Sequence, residues 1–284
     1  MVTGLRFMTE KMTLDNLEQS KSDYHKLSIQ ISLNGLSFCV LDTVDNHILA
    51  SENVVFEKEV NPLELLKKVK EIFEKYRVAK VSFSEVIAIH KNQLFSLVPK
   101  ALFDEGELAN YLKFNAKILT NDVIVYDELE RNDLMNVYVP FMNVNNYIYE
   151  LFGEFEFKHS STVMVESLLN TPQLGNDAIS YVHVGEKQLD ITVISNKKLL
   201  LHNSFKYNTK EDFIYYLLFT LEELKLDTST VKLKLFGAID EDDDIYGISY
   251  DYIKNISIFV PSNIAHITGN DKDDAIDFTV LNTL

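Results

Sequence analysis

Hydrophobic and polar residues alternate with period two near the start of the chain, and the pattern returns about 150 residues later. In the first stretch Leu27, Ile29, Ile31 and Leu33 alternate with Ser28, Gln30 and Ser32, which predicts a strand with one face toward a core. Asn34-Gly35 predicts a tight turn, and Leu36, Phe38 and Val40 resume the alternation. Asp45-Asn46 turns the chain again, and residues 48–56 predict a third strand. A helix then opens at Asn61-Pro62, with Asn61 as N-cap, Pro62 at the first helical position and Glu64 completing a capping box. Its core stripe is Leu66, Val69, Phe73 and Tyr76. Residues 80–87 predict a fourth strand.

The second stretch repeats that order. Residues 179–184 form a strand ending at Gly185, and Leu189, Ile191 and Val193 alternate. Asn196 turns the chain into a third strand at 198–205. Asn208-Thr209 caps a helix whose first turn carries Glu211 and Asp212, favourable to its dipole. Phe213, Leu217, Leu221 and Leu224 make its apolar stripe, and residues 231–236 give the fourth strand. Both copies read βββαβ, with Gly35 and Gly185 at their first turns, so the chain is read as α/β with two duplicated lobes.

The remaining residues fill in the domain plan. Residues 1–26 are a polar lead-in with a short helix expected at 14–19. Lobe one spans 27–170, with an insertion near 88–122 that includes a helix at 106–114. Strands are expected at 123–126, 137–140 and 155–158, a helix capped by Asn143, and a helix over 161–170 with Ser160 or Ser161 as N-cap. A linker at 171–177, with Pro172 and Gly175, opens lobe two, which runs over 171–284. Lobe two ends in an acidic loop after Asp240, a helix near 250–254, a strand at 256–261 and an acidic tail.

Charge narrows the partners. The chain has 27 Lys and Arg against 43 Asp and Glu, a net charge of -16. Nucleic-acid binders neutralise phosphates with basic residues, so this balance excludes them and anionic membrane surfaces alike. The partner expected is another protein, a basic one above all, or a small ligand in a local pocket. No apolar run approaches the roughly 20 residues of a membrane span, and the first 26 residues lack a signal-peptide core. A single cysteine, Cys39, permits no intrachain disulfide and lies in an apolar run, which suits a cytoplasmic protein with a buried thiol. Glycine numbers 9, where average usage gives roughly 20.

The duplicated βββαβ unit resembles the actin-like ATPase superfamily, which includes actin, Hsp70 chaperones, sugar kinases and pilus-assembly proteins of the PilM type. The resemblance implies two ribonuclease-H-like lobes with ATP in the cleft between them, two opposed Asp-x-Gly hairpins on the phosphates, and an apolar-Gly-Gly motif on the adenosine. In the first lobe Ser32-Leu33-Asn34-Gly35 stands at the hairpin, with Ser32 or Leu33 where the aspartate belongs. In the second, His183-Val184-Gly185-Glu186-Lys187-Gln188-Leu189-Asp190 keeps Gly185 and Asp190 but replaces the first aspartate by His183 and a glycine by Glu186. Leu235-Phe236-Gly237-Ala238 is similar to the adenosine motif, with alanine for one glycine. A smaller family of uncharacterised bacterial proteins with this fold is also similar, through residues 95–103 and 111–115.

These departures set the functional expectation. Serine, leucine and histidine do not replace the hard carboxylates that magnesium favours. Glu186 would set like charge beside a triphosphate, costing several kcal/mol at about 4 Å and an effective dielectric of about 20. ATP and magnesium are therefore disfavoured. The chain is read as a non-hydrolysing binding or scaffold protein with a degenerate nucleotide cleft at Asn34, Gly35, Gly185, Glu186, Asp190, Gly237 and Ala238. No catalytic or metal-ligating residue is assigned. The alternatives are an ATP-dependent enzyme of the same fold, ATPase or small-molecule kinase, and a cytoplasmic adaptor of a membrane assembly machine. Asp240 to Asp244 fails the EF-hand pattern, the seven histidines show no zinc spacing, and no Gly-x-Ser-x-Gly elbow or P-loop is present.

Overall fold

Strands β1 (His25–Ser32), β2 (Gly35–Asp42) and β3 (His47–Val55) form the expected antiparallel meander. A computed structural model describes residues 24–114, 116–173, 175–260 and 276–284. The lead-in over 1–23, with its expected helix, and most of the acidic tail lie outside the described residues. Helix α1 (Pro62–Lys75) begins with the capping box of Asn61 and Glu64 and buries Leu65, Val69, Ile72 and Phe73 on the sheet. Each such side chain contributes roughly 1.5–3 kcal/mol when fully buried. The fourth strand is β4 (Glu85–Lys91), later than the expected 80–87, because a 3-10 turn at Val78–Lys80 intervenes. β4 runs parallel to β1.

The insertion also differs from its expected bounds. Residues 88–91 belong to the central strand β4. Beyond them, β5 (Phe95–Pro99), β6 (Val125–Leu129) and β7 (Leu134–Tyr138) form a separate antiparallel sheet in the order β5-β7-β6. It has its own small core of Val98, Leu112, Met135, Val137 and Val139. The helix expected at 106–114 shortens to α2 (Leu108–Leu112) after a 3-10 turn. Helix α3 (Met142–Phe152) packs on α1, and β8 (Glu156–His159) closes the first sheet beside β4. Helix α4 (Ser160–Asn170) follows.

The second lobe is built the same way: β9 (Ile179–Val184), β10 (Gln188–Ser195), β11 (Lys198–Lys206), α5 (Lys210–Glu223), β12 (Lys232–Gly237), α6 (Asp244–Tyr252) and β13 (Ile256–Ile258). The sheet orders are β3-β2-β1-β4-β8 and β11-β10-β9-β12-β13, the same permutation twice. Irregularities repeat as well. Each sheet has a register shift between its second and third strands, at Val40/Leu41 and at Val193/Ile194. Each long helix starts with a capping box, and each ends beside a left-handed residue, Arg77 or Lys225. Local features of this kind are not demanded by an α/β core, so their recurrence marks a duplicated unit.

Two boundaries depart from the expected domain plan. The division into compact units falls within α4, between Met164 and Val165, and not at residue 171. Residues 276–284, expected in lobe two, lie on lobe one, where α7 (Phe278–Leu281) packs against β1 and β2. The reason is apolar: Val280 is fully buried among Cys39, Leu41, Ile48, Ile87 and Ile89 on the sheet face opposite α1.

Candidate functional site

Hairpin register decides which residues of the two lobes correspond. In lobe one Ser32 pairs with Gly35, so the turn is Leu33-Asn34 and Gly35 is the first residue of β2. In lobe two the Gly185 amide donates to the Gln188 carbonyl at 2.8 Å, and Glu186-Lys187 forms the tip. Ser32 therefore matches Gly185, and Gly35 matches Gln188. The two glycines are not equivalent, contrary to their reading as a shared turn feature. Gly35 is needed for close approach: a Cβ there would lie 2.5 Å from the Val54 carbonyl oxygen of β3. Counting two residues back from each turn, the lobe-one partner of His183 is Gln30, not Ser32 or Leu33. Likewise Ser37 matches Asp190, since Gln30 pairs with Ser37 and His183 with Asp190.

The lobe-one hairpin is closed upon itself. Ser32 Oγ accepts the Asn34 amide at 3.2 Å and donates to the Gly35 carbonyl at 3.0 Å. The Leu33 and Asn34 carbonyls accept the amides of Val60 and Phe56 at 2.9 and 2.8 Å. Beneath the turn, Gln30 Nε2 donates to Asp277 Oδ1 and Thr279 Oγ1, each at 2.6 Å. Ser37 donates to Asn53 Oδ1 at 2.7 Å.

In lobe two the corresponding position is a buried network on one carboxylate. Asp190 Oδ2 lies 3.2 Å from His183 Nδ1, and Asp190 Oδ1 accepts Gln188 Nε2 at 3.0 Å and Ser204 Oγ at 2.5 Å. The His183 and Asp190 side chains are only 7% and 5% exposed, so water does not complete this shell. His183 also packs on the Phe236 ring. Serine, histidine and aspartate together suggest nucleophilic chemistry, but a triad needs the hydroxyl on the imidazole. Here Ser204 and His183 both bond the carboxylate, which is not the order of a triad. The hairpin tip is fixed by Tyr207, whose hydroxyl donates to the Gly185 carbonyl at 2.5 Å and whose amide donates to the Lys187 carbonyl. Burial, with the nearby Glu186 charge assisting, pushes the Tyr207 phenol above its ordinary range. Glu186 itself is exposed at the tip.

Gly237 and Ala238 meet this network at the end of β12. Gly237 has φ of +95°, and a Cβ there would lie 2.6 Å from the Val184 carbonyl oxygen and 2.9 Å from His183 Cδ2. The Ala238 amide donates to that same carbonyl at 2.8 Å. Lobe two thus brings together Gly185, Asp190, Gly237 and Ala238 around His183. Asn34 and Gly35 belong to the other lobe. Replacing Gly237 by alanine is expected to destabilise the chain by roughly 1–3 kcal/mol through the left-handed backbone, plus the clash. Urea unfolding checks this, and an unchanged midpoint contradicts it.

The matched hairpin positions lack the hard ligands that magnesium favours. His183 stands where the resemblance implies a magnesium-holding aspartate, its counterpart by register is Gln30, and neither is a carboxylate. The retained Asp190 carries three protein donors. Among the described residues no group of three or more His, Cys, Asp or Glu is arranged to hold a metal. The acidic loop at Asp240 folds on itself, its backbone amide donating to Asp243 Oδ2 at 2.6 Å, and Asp244 pairs with Lys210.

Two inner sites, one part-buried and one buried, had no sequence signal. Asp127 accepts the Tyr138 hydroxyl at 2.9 Å through one oxygen, and the His159 amide at 2.8 Å and Thr162 hydroxyl at 2.6 Å through the other. Burial pushes its carboxyl above the usual range against the pull of those donors. This ties the inserted sheet to the start of α4. His159 Nδ1 accepts the Ser161 amide at 3.1 Å, so the histidine serves the helix start where Ser160 or Ser161 was expected as cap. The other site is His90, on β4, held between Asn145 and the Phe141 amide.

The model of DUF3822, a family of proteins of unknown function, matches residues 14–256, and the chain belongs to that family. Among solved structures, a protein of Bacteroides thetaiotaomicron with actin-like ATPase fold and unknown function is 25% identical, with a TM-score of 0.76 over 93% of this chain and 97% of that one. A chain of the PilM–PilN type IV pilus biogenesis complex is 12% identical, with a TM-score of 0.60 over 90% of this chain and 96% of that one. The fold is therefore that of the actin-like ATPases. No curated protein matches the sequence.

Proposed function

We propose that this member of DUF3822 is a non-hydrolysing actin-like protein that works by binding another protein, as a scaffold or adaptor. One observation carries the reading. At the two hairpin positions where the fold's relatives are expected to hold magnesium, Gln30 and His183 are instead hydrogen-bonded to aspartates of the chain itself, Asp277 and Asp190. These contacts are internal structure. Their removal would cost stability, which is the opposite of residues kept open for a ligand.

The adaptor form of the reading draws on the likeness to the PilM–PilN complex, an assembly of proteins. It draws also on the acidic surface implied by a net charge of -16, which favours a basic partner. Among the described residues no helix is long and apolar enough to cross a membrane. The chain has a single cysteine and it is buried, which suits work in the cytoplasm.

Phosphate release tests the non-hydrolysing part. Purified chain with ATP and magnesium is expected to release phosphate no faster than buffer. Turnover that Asp190→Asn abolishes, with the variant still folded, would establish the enzyme reading instead.

A further inference from the structure

The duplication supplies an internal control for the outer face of α5. Helices α1 and α5 are both 14 residues long, follow the caps Asn61 and Thr209, and end beside the left-handed residues Arg77 and Lys225. Counted from those caps, their buried positions correspond: Leu65, Val69 and Phe73 of α1 stand where Phe213, Leu217 and Leu221 stand in α5. On the outer face they diverge. Lys67 and Glu71 of α1 are exposed and lie 4.0 Å apart, an ion pair of the kind that solvated helix faces carry. At the same two positions α5 has Tyr215 and Phe219, 60% and 45% exposed. The fold accepts charge at this place, and lobe two sets aromatic rings there instead.

The rings form an ordered ridge. Tyr215 and Phe219 stack with centroids 6.1 Å apart. Tyr215 meets Tyr216 edge to face at 5.4 Å, and Tyr216 stacks on Phe205 of β11 at 4.7 Å. Rings held in this way present a rigid apolar surface, which a partner covers at little cost in side-chain entropy.

Charge at the ends of the ridge selects the partner. Glu211 lies one turn before Tyr215, and Glu222 and Glu223 lie one turn after Phe219. All three are exposed, and none takes part in an ion pair among the described residues. Of the neighbouring lysines, Lys210 is held by Asp244 and Lys225 lies past the helix end. A second copy carries the same acidic ends, so ridge packed along ridge sets glutamate against glutamate. Arginine suits both features, because a guanidinium lies flat on an aromatic ring and forms paired hydrogen bonds with a carboxylate.

We propose that the outer face of α5, along Tyr215 and Phe219 between Glu211 and the Glu222-Glu223 pair, docks an arginine-bearing segment of another protein. This rests on the reading of the chain as a protein-binding scaffold, and gives it a surface and a partner chemistry. Turnover of ATP would end that reading with or without peptide binding, whereas failure of the ridge leaves phosphate release unchanged, so the two fail separately.

Tyr215→Lys combined with Phe219→Glu writes lobe one's pair onto α5 and leaves the net charge at -16. Both positions are exposed, so circular dichroism and thermal midpoint are expected to stay as in the wild type. The probe is a labelled synthetic helical peptide with arginines one turn apart along one face and leucines beside them. In fluorescence anisotropy the wild-type chain is expected to bind it saturably, and the double variant about tenfold more weakly or worse. Glu222→Gln with Glu223→Gln is expected to weaken it too, and a peptide with glutamate for arginine is expected not to bind. If the double variant fails to fold, Phe219→Gln alone replaces it, with binding weakened about threefold or more. Equal affinity for wild type and variant overturns the proposal, since the attraction is then general to an acidic chain. Absence of saturable binding overturns it as well. So does a wild-type chain that dimerises with rising concentration while the double variant stays monomeric, since the ridge then serves a second copy.

Discussion

Between pH 6.5 and 4 the fold is expected to lose roughly 3 kcal/mol of stability at His90 alone. The imidazole is fully buried. Its Nδ1 accepts the Phe141 amide at 3.2 Å, which leaves Nε2 to donate to Asn145 Oδ1 at 2.9 Å. Both ring nitrogens are thus committed to the neutral form. A second proton on Nδ1 would face an N–H donor. Burial holds the imidazole down to about 4, with the Asn145 contact opposing. The unfolded chain takes up its proton near pH 6.5, before the folded chain does, so stability is full above that value and falls as pH drops toward 4. His202 is lowered to about 4 as well, by burial against the opposing charge of Asp190, but it keeps partial solvent contact on β11 and adds a smaller share. Urea unfolding across this range should show the wild-type chain losing stability and His90→Gln losing far less. Parallel curves for the two would contradict the assignment.

Asp190→Ala is expected to cost about 3 kcal/mol, since it strips one acceptor from three donors in a buried setting. His183 has no room to turn, being packed on Phe236 and beside Gly237. Gln188 and Ser204 are only half-buried and recover part of their loss from water. The equivalent change in lobe one, Ser37→Ala, removes one neutral hydrogen bond to Asn53 and should cost only about 1 kcal/mol. The contrast between the two lobes is the sharper test. Unfolding midpoints for both variants decide it, and equal shifts would contradict the view of Asp190 as a structural acceptor.

Much of this architecture was readable in the sequence because its causes are local. The alternation of Leu27, Ile29 and Ile31 placed β1, and the capping boxes at Asn61 and Thr209 placed α1 and α5. Legibility stopped where causes are distant. Ser28 and Gln30 read as a solvent face, yet they are 0% and 6% exposed because a strap some 250 residues away bonds them. Nothing in their neighbourhood announces that partner. Matching Gly35 to Gly185 was natural from spacing, but Gly185 precedes its two-residue turn and Gly35 follows its own, so strand register makes Gln30 the counterpart of His183. Asp127 gave no motif because its three donors come from Tyr138, His159 and Thr162, joined only by the fold. The chemistry of the hairpins survived that shift. Neither Gln30 nor the residues first considered is a carboxylate.

Calorimetric titration of the purified chain with ATP and ADP in magnesium tests the central claim most directly. With both hairpin bases occupied by internal hydrogen bonds, the account predicts no saturable heat and no rise in thermal midpoint at millimolar nucleotide. Saturable micromolar binding that needs magnesium and weakens in Asp190→Asn would contradict it.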